Sequence, residues 1–416
     1  VIIKKIFNFS TYQKHSHPSV FMLLILPYGI MGGYITVTIA FLLTKAGIPL
    51  VQVAPLVAMT LLPNILKFLW APLVDTTLTL KKWYILSNIM TAIGILITGI
   101  LPFKAGYLAL FSIIIFWGSF ANTFLAMATA SLIAYDTPDN LKGRASGWSQ
   151  AGNLGGLGLG GGAGLWLAER LPAAWMAGAV IALICLVCTV GLLFLTEPES
   201  TIRVKSYTKT IRNLSLDIWI VIKSRMGFMA LLLCFLPIGS GAASNLWSAV
   251  SNDWRASADT VALVIGVAGG ILSTIGCLAG GWVCDIMDRK KAYILFGIFQ
   301  ALCAVGMAFS PRTELMFIIW TSLYAITTGL TYAGFSAFTL EAIGKGAAAT
   351  KYNVFASLSN APIYFMTFVD EWAHEKWNSF GMLNAEAILA LIGMILFITI
   401  YVSVNRTKEK VIFETD

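Results

Sequence analysis

The sequence predicts an all-α integral membrane protein of twelve transmembrane helices, arranged as two pseudo-symmetric six-helix bundles. Three observations predict it. Of 416 residues, 58% are hydrophobic and 12% charged, with a mean hydropathy of +0.80, whereas a soluble domain carries about 25% charged residues. Twelve stretches approach the roughly 20 apolar residues that a bilayer span requires. Finally, the motifs that close particular spans recur 205 to 210 residues later.

This composition excludes a soluble enzyme, a disordered chain and a collagen. A disulfide scaffold is excluded too, since Cys185, Cys188, Cys234, Cys277, Cys284 and Cys303 all lie in or beside apolar runs and read as small hydrophobes. The net charge of +8 does not point to nucleic acid, because the bases cluster between apolar runs instead of lining one face.

The spans are expected at 18–43, 51–74, 83–101, 107–134, 146–168, 173–195, 226–250, 261–284, 292–310, 315–340, 352–371 and 380–403. The first is longer than a signal h-region, carries Pro27 and Tyr28 and has no small-residue cleavage site after it, so it reads as a span. Pro27, Pro55, Pro63, Pro237 and Pro362 mark expected kinks. Of 28 Lys and Arg residues, 21 fall on the side holding the N-terminus and 6 on the other, with Lys67 inside a span. The positive-inside rule then places both termini in the cytoplasm. The longest polar stretch, 196–225, divides the chain into bundles at 1–195 and 226–416. Its segment Asp217 to Lys223 reads either as a short surface helix or as solvated linker.

The internal repeat is visible at two places. Span 2 closes on Trp70-Ala71-Pro72-Leu73-Val74-Asp75 before Lys81 and Lys82, and span 8 closes on Gly280-Gly281-Trp282-Val283-Cys284-Asp285 before Arg289, Lys290 and Lys291. Span 4 exits through Asp136, with Arg144 entering span 5 and Asn153 nine residues on. Span 10 exits through Glu341, with Lys351 entering span 11 and Asn360 nine residues on. Parallel six-helix repeats of this kind are a transporter signature.

The paired loops resemble those of the major facilitator superfamily, in which a Gly, an Asp and then basic residues follow helix 2 and recur after helix 8. Gly281, Asp285, Arg289, Lys290 and Lys291 match that motif, while the first copy is degenerate, with Trp70-Ala71-Pro72 in place of the glycine and Thr76 after the Asp. Lys67-Phe68-Leu69-Trp70-Ala71-Pro72-Leu73-Val74-Asp75 is similar to the span 2 signature of the peptide and acetyl-coenzyme A transporter branch, which includes muropeptide and siderophore permeases. The resemblance implies the major facilitator fold and a charge latch that holds the two bundles together at the cytoplasmic side when the protein opens outward. Asp75, Asp136, Arg144, Asp285, Arg289, Glu341 and Lys351 would form that latch.

Polar residues inside spans are the candidate cavity lining, because lipid-facing positions tolerate them poorly. In this fold helices 1, 4, 7 and 10 surround the path and 2, 5, 8 and 11 shape its sides. The candidates are Tyr28, Tyr34, Thr38, Asn64, Lys67, Asn122, Thr123, Gln150, Asn153, Ser240, Ser244, Asn245, Trp247, Tyr324, Tyr332, Asn360 and Tyr364. Lys67 is the one charge deep in a span, about 12 Å along the helix from Asp75, where a cation either meets a substrate carboxylate or phosphate or snorkels to headgroups. Span 5 carries Gly152, Gly156, Gly160 and Gly164 at four-residue spacing, with Gly155, Gly158, Gly161 and Gly162 around them, a helix-packing surface. Asp370, Glu371, His374 and Glu375 read as a solvated external loop with no metal. Trp83, Tyr107, Trp254 and Trp377 read as interfacial anchors.

No catalytic constellation emerges, since His15, His17 and His374 all lie outside the spans. The expected function is secondary active transport at the bacterial inner membrane by alternating access. The resemblance implies proton-driven import of a muropeptide-like or siderophore-like solute, by a monomer in contact with lipids, without cofactors. Uniport, an acetyl-coenzyme A or peptide substrate, and a non-transporting receptor on the same fold are the alternatives. With no Asp or Glu expected in mid-span, proton coupling would have to use a carboxylate at the rim.

Overall fold

The computed structural model describes residues 16–197, 223, 225–343 and 348–413. Most of the expected linker at 196–225, including nearly all of its 217–223 segment, lies outside the described residues. So do Lys4, Lys5, Lys14, His15 and Lys345.

The described chain is a succession of helices. Helix α1 runs Ser19–Lys45, with a π-helical turn at Tyr34–Ile39. Helix α2 is broken into Leu50–Ala58, Leu61–Leu66, the 3-10 turn Lys67–Leu69 and Ala71–Thr76, as Pro55, Pro63 and Pro72 interrupt its backbone ladder. Then come α3 (Leu80–Ile100), α4 (Leu108–Asp136), α5 (Lys142–Gly158, the π turn Leu159–Ala163, and Gly164–Arg170) and α6 (Ala174–Phe194). Helix α7 runs Arg225–Phe235, breaks at Gly239 and Gly241, both at positive φ, and resumes as Ala242–Leu246 and Trp247–Val250. Helices α8 (Asp259–Ile286), α9 (Arg289–Phe309) and α10 (Glu314–Ile343) follow. Helix α11 starts at Ala348–Leu358 and continues in Asn360–Phe413, which holds a kink at Trp377 and Asn378, and α12 is the part beyond that kink.

Among the described residues, eight helices are long and apolar enough to cross a membrane, α11 and α12 being fused in that reckoning. Helices α2, α5 and α7 complete the twelve. Helices α2 and α7 fall short because proline or glycine interrupts them, and α5, though continuous, because its glycines, Gln150 and Asn153 leave it too weakly apolar. Outward-facing positions are apolar, with Leu193 80% exposed and Ile271, Leu302 and Ile395 exposed beside it in character, a surface suited to lipid.

In the first group α1 packs on α5, and α3 on α4 and α6; in the second α8 packs on α10, and α9 on α10 and α12. The glycines of α5 serve two faces. A Cβ at Gly152, Gly156 or Gly160 would lie 2.3, 2.5 or 2.1 Å from the carbonyl oxygens of Met22, Leu26 or Ile30, so this face belongs to α1. At Gly158 it would lie 3.3 Å from the Gly270 Cα, and at Gly147 2.8 Å from the Gly281 Cα, so the other face belongs to α8 of the opposite group. The π turns follow from the same approach. The Thr38 hydroxyl donates to the Gly160 and Gly161 carbonyls at 3.1 Å, taking up backbone acceptors where the α-helical ladder is rearranged.

Three expectations change here. Trp254 is no interfacial anchor: it is fully buried, beneath the Arg312 guanidinium at 4.1 Å and against Phe317. Asp370 is fully buried as well, not part of a solvated loop. Glu386, not singled out from the sequence, is a buried carboxylate in α12, eight residues or about 12 Å beyond the kink.

Candidate functional site

At the end of the bundle that carries the basic loops, two carboxylates reach across between the groups in the same way. Asp285, near the end of α8, accepts the backbone N–H groups of Gly143 at 2.8 Å and Arg144 at 3.2 Å, in the first turn of α5. Asp75, near the end of α2, accepts those of Ala349 at 3.2 Å and Thr350 at 2.9 Å in α11, and the Thr350 hydroxyl at 2.7 Å. Helix N-termini leave such N–H groups without internal partners and carry partial positive charge, so a carboxylate there forms charge-assisted hydrogen bonds.

The basic side chains differ between the two sites. Arg144 Nε stands 3.1 Å from Asp285 Oδ2, and Arg289 stands 3.1 Å from Glu341. Arg289 also donates to the Asp139 carbonyl. The bonding pattern matches Arg144 with Thr350, one residue before Lys351, so the pairing of Arg144 with Lys351 suggested by the sequence is out of register by one. Asp136 accepts the backbone N–H of Ser16 at 3.2 Å.

Further into the bundle, the structure gathers polar candidates from both groups. The Tyr28 hydroxyl donates to Asn64 Oδ1 at 2.6 Å, and Asn122 Nδ2 donates to the Tyr28 carbonyl at 3.0 Å. Tyr28 lies within electrostatic reach of Tyr332 and Tyr352 of the other group. Tyr352 is hydrogen-bonded to Ser336 at 3.0 Å and to Gln150, and Gln150 accepts from Asn153 at 3.1 Å. Tyr352 and Ser336 were missed in the sequence, although both are polar positions in expected spans. Lys67 is 93% buried on the 3-10 break of α2, against which α11 packs.

Other candidates stand elsewhere. Tyr34 is fully buried among Gly99, Gly164 and Gly178, and Thr38 is spent on α5, so both are packing residues. Thr123 accepts from the Trp70 indole at 2.9 Å. Ser244 bonds locally to the Gly241 carbonyl, and Asn245 donates to Thr367 at 3.1 Å. Asn360 is half-buried at the start of its helix segment, and Tyr364 shares an exposed aromatic face with Phe365 and Phe368. Trp247 sits edge-on to Tyr324, ring centroids 5.2 Å apart, and the Tyr324 hydroxyl donates to Glu386. His374 and Ser379 hold Asp253 at the opposite end.

The chain matches the family model for the Major Facilitator Superfamily over residues 19–366. It is 21% identical over 362 residues to the anhydromuropeptide permease of Escherichia coli K12, covering 83% of this chain and 72% of the permease, and likewise to that of Escherichia coli O157:H7. In fold it is similar to the fucose:proton symporter of Escherichia coli, with a TM-score of 0.70 at 14% identity over 92% of this chain and 97% of that one. The human organic anion transporter MFSD10 gives 0.66 at 15% identity, over 91% and 97% of the two chains. The proton:xylose symporter XylE gives 0.66 at 14% identity, over 91% and 95%. With a family match over most of its length and the twelve-helix fold in place, the chain belongs to the Major Facilitator Superfamily, a family of membrane transporters.

Proposed function

We propose that this transporter imports an organic solute of the muropeptide class across the bacterial inner membrane by alternating access, driven by the proton gradient. The observation that carries the reading is the matched seating of Asp75 on α11 and Asp285 on α5. Two equivalent sets of bonds between the groups close one end, and breaking them would open that end while the rest of each group stays intact. On this reading the bundles are 1–195 and 226–416, the basic loops and both termini face the cytoplasm, and the structure stands closed to the cytoplasm.

The substrate class rests on the lining and on the permease relative. Tyr28, Tyr332 and Tyr352 offer faces for sugar rings and hydroxyls for hydrogen bonds, Asn64, Asn122 and Gln150 offer amides for peptide groups, and Lys67 offers a cation for a carboxylate. A glycopeptide acid needs all three. The 21% identity to an anhydromuropeptide permease supports the same class.

Uptake by proteoliposomes tests this. The panel is an anhydromuropeptide, a siderophore, acetyl-coenzyme A and a simple peptide, each with and without an inward proton gradient. Accumulation of the anhydromuropeptide only with the gradient is expected. Equilibration without the gradient would make the protein a uniporter, binding without flux would make it a receptor, and transport of another panel member alone would replace the substrate.

A further inference from the structure

The second helix group holds a polar cluster that the central lining does not use. Asp370 of α11 and Glu386 of α12 are 16 residues apart in sequence, on either side of the Trp377–Asn378 kink, and close enough to interact electrostatically. Asp370 is fully buried, and neither carboxylate oxygen has a hydrogen-bond partner among the described residues. Glu386 accepts from the Tyr324 hydroxyl and the Ala243 backbone N–H, and among the described residues its Oε2 has no partner.

Among the described residues, what faces the pair carries no compensating charge. Helix α7 presents Ser240 and the Ala243 N–H, α9 presents Gln300 and Cys303, and α10 presents Tyr324. Among the described residues neither carboxylate makes an ion pair. Two neighbouring buried carboxylates without a cation cannot both stay ionised, because desolvation and mutual repulsion both oppose it.

A small void borders Glu386, lined also by Ser240, Gln300, Gly239 and Pro237, with about 10 Å³ of room, the scale of one water. Three buried polar atoms without partners among the described residues lie around it: Glu386 Oε2, Gln300 Oε1 and Ser240 Oγ. Gln300 is 97% buried, and the void has room for a water on the scale that such unpartnered groups bind.

We propose that Asp370 and Glu386 together hold a single exchangeable proton, relayed through a water bound by Glu386, Gln300 and Ser240, and that this is the site at which the driving proton loads. The inference rests on the transport reading above. The site also touches the moving parts. Glu386 binds the Ala243 N–H just after the α7 break, and Tyr324 packs on Trp247 of the same segment, so loading or losing the proton changes the bonds that hold the second half of α7. Gly239 and Gly241, at φ of +63 and +70, give that break its sharp turn.

The test has a readout that needs no substrate. Infrared difference spectra of the full chain in liposomes, recorded on a step from neutral to alkaline pH, should show loss of a protonated carboxylic-acid carbonyl band. The band should vanish in Glu386→Gln and in Asp370→Asn, and shift without vanishing in Tyr324→Phe. Absence of the band in the wild type, or its persistence unchanged in both carboxylate variants, overturns the site.

Uptake supplies the second arm, with anhydromuropeptide as the probe. Both carboxylate variants should lose gradient-driven accumulation at least tenfold while keeping counterflow exchange at equal pH on the two sides. Full accumulation in both variants, or wild-type accumulation driven by sodium and insensitive to the proton gradient, also overturns it. If the wild type does not transport the probe at all, the functional reading fails, and the infrared band still decides the site.

Discussion

Asp75 meets Thr350 across the two helix groups through both the backbone N–H at 2.9 Å and the side-chain hydroxyl at 2.7 Å. Asp285 meets Arg144 in the same position but adds an ion pair at 3.1 Å in place of the hydroxyl bond. The repeat therefore conserves within this chain the carboxylate-to-helix geometry and varies the side chain that reinforces it. Hydrogen bonds to a charged group contribute about 1.5–3 kcal/mol each. Asp75→Asn or Asp285→Asn should shift the population toward the form open at the basic end by about tenfold, the equivalent of about 1.4 kcal/mol. A cysteine probe placed in the cavity at that end reads the change, and unaltered labelling rates would show that the carboxylates do not bias the equilibrium.

Lys67 lies buried where α2 breaks and α11 packs. Lys67→Ala should cut uptake at least tenfold with membrane insertion unchanged, since a cation held in a low-dielectric site is worth several kcal/mol to an anionic solute. Uptake assayed beside surface expression checks it. Normal uptake would reduce Lys67 to a side chain snorkelling toward headgroups.

The two glycine faces of α5 predict two different phenotypes. Gly156→Ala puts a methyl 2.5 Å from the Leu26 carbonyl inside one helix group, so it should lower thermal stability by about 1–3 kcal/mol. Gly158→Ala puts one 3.3 Å from the Gly270 Cα of the other group, a milder contact at a surface that the proposed alternating-access cycle would change. Its expected effect is on the ratio of conformers, with the melting temperature little moved. Equal loss of melting temperature in both variants would contradict this division.

Tyr28→Phe removes the bond to Asn64, and Tyr352→Phe removes those to Ser336 and Gln150. Each should raise the KM for uptake several-fold, by about 1 kcal/mol of lost hydrogen bonding, with little change in expression. An unchanged KM in both variants would take the tyrosines out of the solute path. Tyr352 marks how far the polar-residue criterion reached: it found Tyr28, Asn64 and Gln150, but passed over a tyrosine one turn into α11 that the fold delivers to the same place.

At the opposite end, burial pushes the Asp253 carboxyl up, but hydrogen bonds from Ser379 and His374 outweigh it and hold the group below the ordinary carboxylate range. A depressed value means that stability from this contact is present at neutral pH and is lost as the pH falls through the carboxylate range. Asp253→Asn should lower the melting temperature at neutral pH, by a modest amount because the group is partly solvated, and the difference from wild type should close in acid. A constant difference across that range would exclude the linkage.

The sequence by itself determined the class of fold, the number of spans and the existence of the repeat. These depend on the length of apolar runs, the placement of Lys and Arg and recurring local motifs, all of which are properties of consecutive residues. It also placed Asp75, Asp285 and Arg144 at helix ends and gave α5 its packing glycines. What it left open is where each group goes across the bundle. Asp75 binds backbone N–H groups of α11, and a backbone donor has no letter in the sequence, so Thr350 could not be distinguished from Lys351. Asp370 sits at the end of an apolar run and looks solvated by position. Glu386 looks like one charge near the edge of another run. Only the turn at Trp377 and Asn378 brings them together in the interior, because burial belongs to the packed chain and not to the segment.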